Sequence, residues 1–218
     1  MRNRDNVNII LLAAGNSRRF GNNKLLTEFE GKPLFQYTFD VAVAVSEWLI
    51  KNKVDNNIII VSQYGEVLSA GEKSGCMAIE NNKPELGISY SIKLALNACG
   101  KIDDRDNKDS SRHNVDYMFF VCDQPLLRSE SAINLVSSYR NSHKPMGCLA
   151  YKNRLGNPCI FNSKYVPDLL QLEGDDGGKK IILLNPDNTL TVESYDEKEL
   201  LDIDNMEDFN KLSNDLRK

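Results

Sequence analysis

The apolar run at residues 7–12 passes directly into Ala13-Ala14-Gly15-Asn16-Ser17-Arg18-Arg19-Phe20-Gly21-Asn22-Asn23-Lys24. A strand that ends in small residues and opens into a loop with two glycines, two arginines and a lysine is suited to hold phosphate. Gly15 and Gly21 can take positive φ and let the backbone approach a ligand closely. Successive N–H groups in such a turn form an anion-binding concavity. Arg18, Arg19 and Lys24 add full charges, and Ser17 can donate to a phosphate oxygen or cap the next turn. Two common phosphate loops do not fit. Five residues separate Gly15 from Gly21 and Lys24 comes three later, which excludes a Walker A loop. Ser17 stands where the dinucleotide fingerprint requires its second glycine.

Strand and helix signals alternate beyond the loop, which predicts an α/β fold with a mostly parallel central sheet and helices on both faces. Strands are predicted at residues 7–13, 57–62, 76–79 and 117–122, the last being the strongest central strand. Helices are predicted at 33–50, 64–73, 88–98 (ending at Gly100) and 129–140. Residues 146–162 read as two strands joined by a turn at 153–157. Helices near 164–170 and 179–184, a strand at 189–195 and a helix opened by Asn205 complete the chain. Residues 101–114 hold one apolar residue in fourteen and read as a mobile polar excursion. There is no internal repeat or clean linker, so residues 1–218 are expected to form one domain.

The 41% hydrophobic and 27% charged content is ordinary for a soluble protein. A net charge of −4, with positive charge local to the loop, suits a small anionic substrate and argues against nucleic acid. No apolar run is long enough for a membrane span or placed for a signal peptide, so a cytoplasmic location is expected. The five cysteines include no C-x-x-C pair, which argues against a disulfide framework or structural zinc.

Asp123, in Val121-Cys122-Asp123-Gln124-Pro125, is predicted at the carboxyl end of the central strand, where α/β sheets bind ligands. It faces the phosphate loop if its strand neighbours the first one. One carboxylate there can tether Mg²⁺ to a triphosphate; a turn or capping aspartate before Pro125 is the competing reading. Gly174-Asp175-Asp176-Gly177-Gly178-Lys179-Lys180 leads into an apolar helix and can wrap an anion, or simply join two helices. Asp202 and Asp204 alternate on a strand-like run, so the two-residue period points them the same way. Either could add a metal carboxylate, while Asn205 and Asp208 cap the next helix. Ser89 and Ser91 open a helix, placed to meet a base or ribose, and Gly156-Asn157-Pro158 reads as a tight turn between strands. Neither His113 nor His143 suits a general base.

The pattern Leu-Ala-Ala-Gly-x-Ser-x-Arg-x-Gly-x-x-Lys, met by Leu12, Ala13, Ala14, Gly15, Ser17, Arg19, Gly21 and Lys24, resembles the signature loop of nucleotidyltransferases with a Rossmann-like fold. With Gly87 through Ser91, Asp123-Gln124-Pro125, Gly156-Asn157-Pro158, Gly174 through Lys179 and Leu201 through Asp204, the chain is similar to the molybdenum cofactor cytidylyltransferases among the MobA-like enzymes. That resemblance implies a three-layer Rossmann-like fold and Mg²⁺-dependent transfer of CMP from CTP to the terminal phosphate of molybdopterin, with pyrophosphate released. It implies that Arg19, Lys24 and the Gly15 loop hold the triphosphate, that Asp123 and Asp204 bind the metal, and that Ser89 and Ser91 read the nucleotide. Gly156, Asn157, Pro158, Asp175 and Lys179 fall on the acceptor side. A molybdoenzyme or cofactor-insertion protein is the implied partner. Members that use GTP typically carry Leu-Ala-Gly-Gly, so Ala14 points to the pyrimidine. The family usually has histidine at the Asn157 position and arginine at the Lys179 position, and lysine lacks the bidentate fork. Transfer to a sugar or polyol phosphate, or a nucleotide-binding accessory role without turnover, are the alternatives. Asn22 and Asn23 before Lys24 argue against the methylerythritol cytidylyltransferases, which end the loop in Pro-Lys-Gln.

Overall fold

The computed structural model describes residues 6–15, 20, 23–106 and 115–216. Its centre is a seven-stranded sheet in the order β5-β4-β1-β6-β8-β7-β9. These strands are β1 (Asn6–Ala13), β4 (Asp55–Ser62), β5 (Met77–Glu80), β6 (Val115–Val121), β7 (Met146–Tyr151), β8 (Arg154–Asn162) and β9 (Thr189–Glu193). Every neighbour pairs in parallel except β8, which runs against both β6 and β7. A two-stranded hairpin, β2 (Glu28–Phe29) and β3 (Lys32–Pro33), comes after the first loop.

Alternation along β1 shows why helices must cover both faces. Ile9 and Leu11 pack with α1 (Leu34–Lys51), α2 (Gly65–Lys73) and α4 (Ser129–Asn141). Ile10 and Leu12 face the opposite layer, built from α3 (Ile88–Asp106), α5 (Val166–Leu170) and α6 (Gly178–Leu184). Successive strand side chains point to opposite faces, so a strand apolar at both parities must be buried on both. A third, smaller cluster joins Phe20, Phe29, Leu34 and Ile203 to α7 (Met206–Leu216). There Phe209 meets Phe20 and Phe29 edge-on, at ring-centroid distances of 5.9 and 5.4 Å.

The chain winds outward from β1 through β4 to β5, then returns through α3 to β6 on the other side of β1. This reversal opens a crevice beyond the carboxyl ends of β1 and β6, the position where open α/β sheets bind ligands. The pairing of β1 with β6 is the one that the placement of Asp123 required.

Two expectations are corrected. Helix α3 continues through Gly100 to Asp106; one glycine inside a helix costs only about 1 kcal/mol, which the neighbouring turns offset. Residues 107–114 of the expected polar excursion lie outside the described residues. Gly156-Asn157-Pro158 is part of β8, and the turn sits one step earlier, at Lys152 and Asn153. A Cβ on Gly156 would lie 2.4 Å from Leu200 Cδ2, so this glycine serves close packing.

Asp116 on β6 is fully buried and ties the layers together. Tyr139 of α4 donates to its Oδ1 at 2.8 Å, and Asn162 Nδ2 donates to the same atom at 3.1 Å. Tyr139→Phe is therefore expected to cost about 1–3 kcal/mol, because it strips a donor from a buried carboxylate. Urea denaturation measures this, and an unshifted midpoint would show that the hydroxyl contributes nothing.

Candidate active site

The site begins where β1 ends. The carbonyls of Ala13, Ala14 and Gly15 accept from Ser62 Oγ, Gln63 Nε2 and Tyr64 OH at 2.9, 3.0 and 3.3 Å, which fixes the start of the loop. Gly15 does not use the positive φ open to it, and among the described residues nothing lies within 4 Å of a Cβ there. The room it leaves belongs to the cavity. Ser17, Arg19 and Gly21, like Arg18, lie outside the described residues.

Lys24 is positioned by local chemistry. Asn23 Oδ1 accepts from Leu25 N–H at 3.2 Å and starts a 3-10 turn over Lys24–Leu26, while buried Leu25 anchors that turn in the core. The Lys24 ammonium then lies 2.8 Å from Asp123 Oδ2 and 3.7 Å from Asp204 Oδ1. Asp123 comes just after β6, and its carbonyl accepts from Ile203 N–H at 3.0 Å. Buried Ile203 thereby pins the 201–204 segment beside the end of β6.

Two cavities open here. The first, of about 450 Å³, has Gly15, Lys24, Asp123 and Asp204 toward the phosphate loop and Pro84, Glu85, Gly87 and Ser91 at the start of α3. The second, of about 400 Å³, is floored by Phe119 and Phe161 and rimmed by Asn157, Asp175, Lys179 and Asp202. Leu12, Ile88, Val121, Asp123 and Asp175 line both. Asp123 thus stands in the wall between two ligand-sized spaces.

Asp202 and Asp204 do not act together as the two-residue period suggested. Asp204 faces the first cavity and Lys24. Asp202 lines the second, where its Oδ1 accepts from Gln124 Nε2 at 2.7 Å. The segment has no ladder to hold a flat pleat, since residues 201–204 belong to no strand. Burial pushes the Asp202 carboxyl above its ordinary range, and the Asp123 carboxylate pushes it further; Lys179 and Gln124 oppose them.

The other expected residues divide. Leu12, Ala14 and Ser91 line the first cavity, whereas Ala13 and Ser89 are buried and line neither. Ser89 contributes through its backbone, donating N–H to Gly174 O at 3.1 Å. Of the acceptor-side group, Asn157, Asp175 and Lys179 meet the second cavity, while Gly156 and Pro158 do not. Sequence reasoning missed Glu85 in the first cavity and the Asp202–Gln124 pair at the second. The run Asn81-Asn82-Lys83-Pro84 after a predicted strand was the available signal for the first of these.

Among the described residues, no group of three or more His, Cys, Asp or Glu side chains could hold a metal by itself. Asp123 does fit a cation: its Oδ1 is buried and, among the described residues, has no hydrogen-bond partner. Magnesium typically takes one or two carboxylates and completes its shell with substrate phosphates and water. The cysteines, by contrast, are all buried; burial drives the Cys122 and Cys159 thiols far above the ordinary range and Cys148 up to about 11. Thiols so disposed are poor nucleophiles.

The chain is similar in sequence and fold to known proteins. A Bacillus licheniformis protein described as a "Probable molybdenum cofactor guanylyltransferase" is 27% identical over 128 residues, covering 56% of this chain and 51% of its own length. A Thermococcus sibiricus protein with the same description is 24% identical over 163 residues, covering 75% and 70%. The match to the first thus spans about half of that relative. The solved structure of a nucleotidyl transferase from Methanothermobacter thermautotroptrophicus superposes with a TM-score of 0.72 at 19% identity, covering 97% of this chain and 98% of its own, and shows the same fold. Residues 9–189 match the model of the MobA-like NTP transferase domain. Because that match runs from β1 to the first residue of β9, across every strand that frames the two cavities, the chain belongs to the MobA-like NTP transferase family.

Proposed function

We propose that the protein transfers CMP from CTP to the terminal phosphate of a molybdopterin-type acceptor and releases pyrophosphate. The observation that carries this reading is Asp123, with one buried oxygen that no described residue partners, in the wall shared by two cavities. The first cavity takes the nucleotide and the second the acceptor, so the two reacting phosphates meet beside that carboxylate. An acceptor phosphate oxygen forms a bond to the α-phosphorus while the bond from that phosphorus to the bridging oxygen breaks. Positioning and charge neutralisation supply most of the rate in such a transfer.

Lys24 turns from Asp123 Oδ2 to the triphosphate, stabilising the leaving pyrophosphate together with Arg19, Ser17 and the Gly15 loop. Asp123, with Asp204, would hold Mg²⁺. When bound, the ion would neutralise phosphate charge. Ser91 faces the nucleoside end of the first cavity. Lys179, which lines the second cavity beside Lys180, supplies a point charge to the acceptor phosphate, where Asn157 adds a neutral donor. Phe119 and Phe161, packed edge to face with centroids 6.0 Å apart, give that cavity an apolar, aromatic floor suited to the ring system of a pterin. Cytoplasmic action, a single functional domain over residues 1–218, and hand-over to a molybdoenzyme or insertion protein belong to the same proposal.

Ala14 at the cavity wall supports the pyrimidine donor; the descriptions of the two curated relatives support guanylyl transfer as the second reading. Pyrophosphate release with Mg²⁺, molybdopterin and each of CTP, GTP, ATP and UTP separates them. Release with CTP alone is the expected result. Release with GTP alone would reassign the donor, and release with none would overturn the transfer.

A further inference from the structure

The nucleoside end of the first cavity contains a polar pair whose orientation is fixed. Asn81 comes directly after β5 and is 1% exposed. Its backbone N–H donates to Ser62 O at 2.8 Å, and its side-chain Oδ1 accepts from Lys83 N–H at 2.9 Å. A backbone amide can only donate, so the oxygen of the Asn81 amide must face it and the nitrogen must face away. That nitrogen donates to Ser91 Oγ at 2.9 Å. Ser91 is 3% exposed and lines the cavity. Its oxygen is engaged as an acceptor, and among the described residues no protein group takes its proton.

We infer that Asn81 is a positioning residue for base selection: by donating to Ser91, it commits that hydroxyl to donate into the cavity and so to recognise an acceptor atom on the nucleobase. The inference deepens the cytidylyl reading and rests on it. Cytosine and uracil both accept at O2, so a donating hydroxyl separates them only at position 3, where cytosine has an acceptor nitrogen. Uracil carries N–H at position 3, where a hydroxyl held as a donor would meet a second donor. A buried group facing the wrong polarity discriminates more strongly than a lost contact does, because both partners are left unpaired. Asn81 reaches the ligand only through Ser91, and Lys83 holds it in register from the other side.

Asn81→Asp tests the polarity directly. It keeps an oxygen for Lys83 N–H but replaces the donor with an acceptor, so the Ser91 proton turns toward residue 81 and a lone pair faces the base. Ser91→Ala removes the donor outright and leaves the Lys83 contact intact, so it carries the test should the buried aspartate prevent folding. Titration calorimetry with Mg²⁺ and CTP, UTP or GTP would read the affinities. The unsubstituted protein should bind CTP about tenfold or more tightly than UTP, the scale of one hydrogen bond. That ratio should fall toward unity, or invert, in Asn81→Asp, and should also fall in Ser91→Ala. A CTP preference unchanged in both folded variants would overturn the inference alone. GTP binding more tightly than either pyrimidine in the unsubstituted protein, or no nucleotide binding at all, would overturn the cytidylyl reading and this inference with it.

Discussion

Asp123→Asn should lower pyrophosphate release by about 10²- to 10³-fold, the scale found when one preorganised electrostatic group is lost from a transition state. The substitution keeps the shape of the side chain and changes its charge. The backbone contact to Ile203 does not involve the side chain, so the 201–204 segment stays in place. The Lys24 ammonium loses its 2.8 Å partner but retains Asp204 at 3.7 Å. Asp123 is about one-fifth exposed and Lys24 about one-tenth, so solvent moderates the loss. Stability should fall by no more than about 2 kcal/mol, short of the cost of breaking a fully buried pair. Activity and thermal unfolding measured on one preparation separate the two effects. Turnover within tenfold of the unsubstituted protein would remove Asp123 from the chemistry.

Gly87→Ala should be the most damaging single-methyl change at the site. Gly87 has φ of 80° and ψ of −175°, a region essentially restricted to glycine. The added Cβ would lie 2.2 Å from Gly174 O and 2.7 Å from Asp175 Oδ1. The backbone strain costs about 1–3 kcal/mol, and the clash must add to it or displace the 174–175 loop. For a chain of this size a loss of about 3 kcal/mol lowers the Tm by roughly 6–12 °C. If the loop gives way, Asp175 leaves both cavities and ligand affinity falls with stability. Gly75→Ala is the comparison: its φ of 78° is similar, but nothing lies within 4 Å of the added Cβ. Equal losses in the two variants, measured by denaturant unfolding, would show that the approach of Gly87 to Gly174 has no energetic weight.

The elements most legible in the chain were those set by short-range periodicity. Residues 7–13 and 117–122 carry apolar side chains at both parities, and both form central strands; Asn205 caps α7 by accepting from Glu207 and Asp208 N–H. Asp123 and Lys24 were recognisable because the spacing of their motifs fixes them against adjacent strands. Features decided by long-range packing were not legible. Gly156-Asn157-Pro158 has turn composition, yet Leu200, distant in sequence, occupies the space that a side chain at 156 would fill. The alternation of Asp202 and Asp204 suggested a shared face, while Gln124 and Lys24 draw the two carboxylates to different cavities. Asn81 is silent in a linear reading because its effect passes through a hydroxyl ten residues away.

The wall common to the two cavities has a thermodynamic consequence. Ligands separated only by residues such as Asp123 and Asp175 feel each other's charge, so occupancy of one space changes affinity for the other, reciprocally and by the same factor. On the proposed reaction the product holds both spaces through one covalent link. Each half then keeps the other at high effective concentration, and departure requires both to let go together. On that proposal, the partition that would bring two phosphates within reach of each other would also make the joined molecule the slowest to leave.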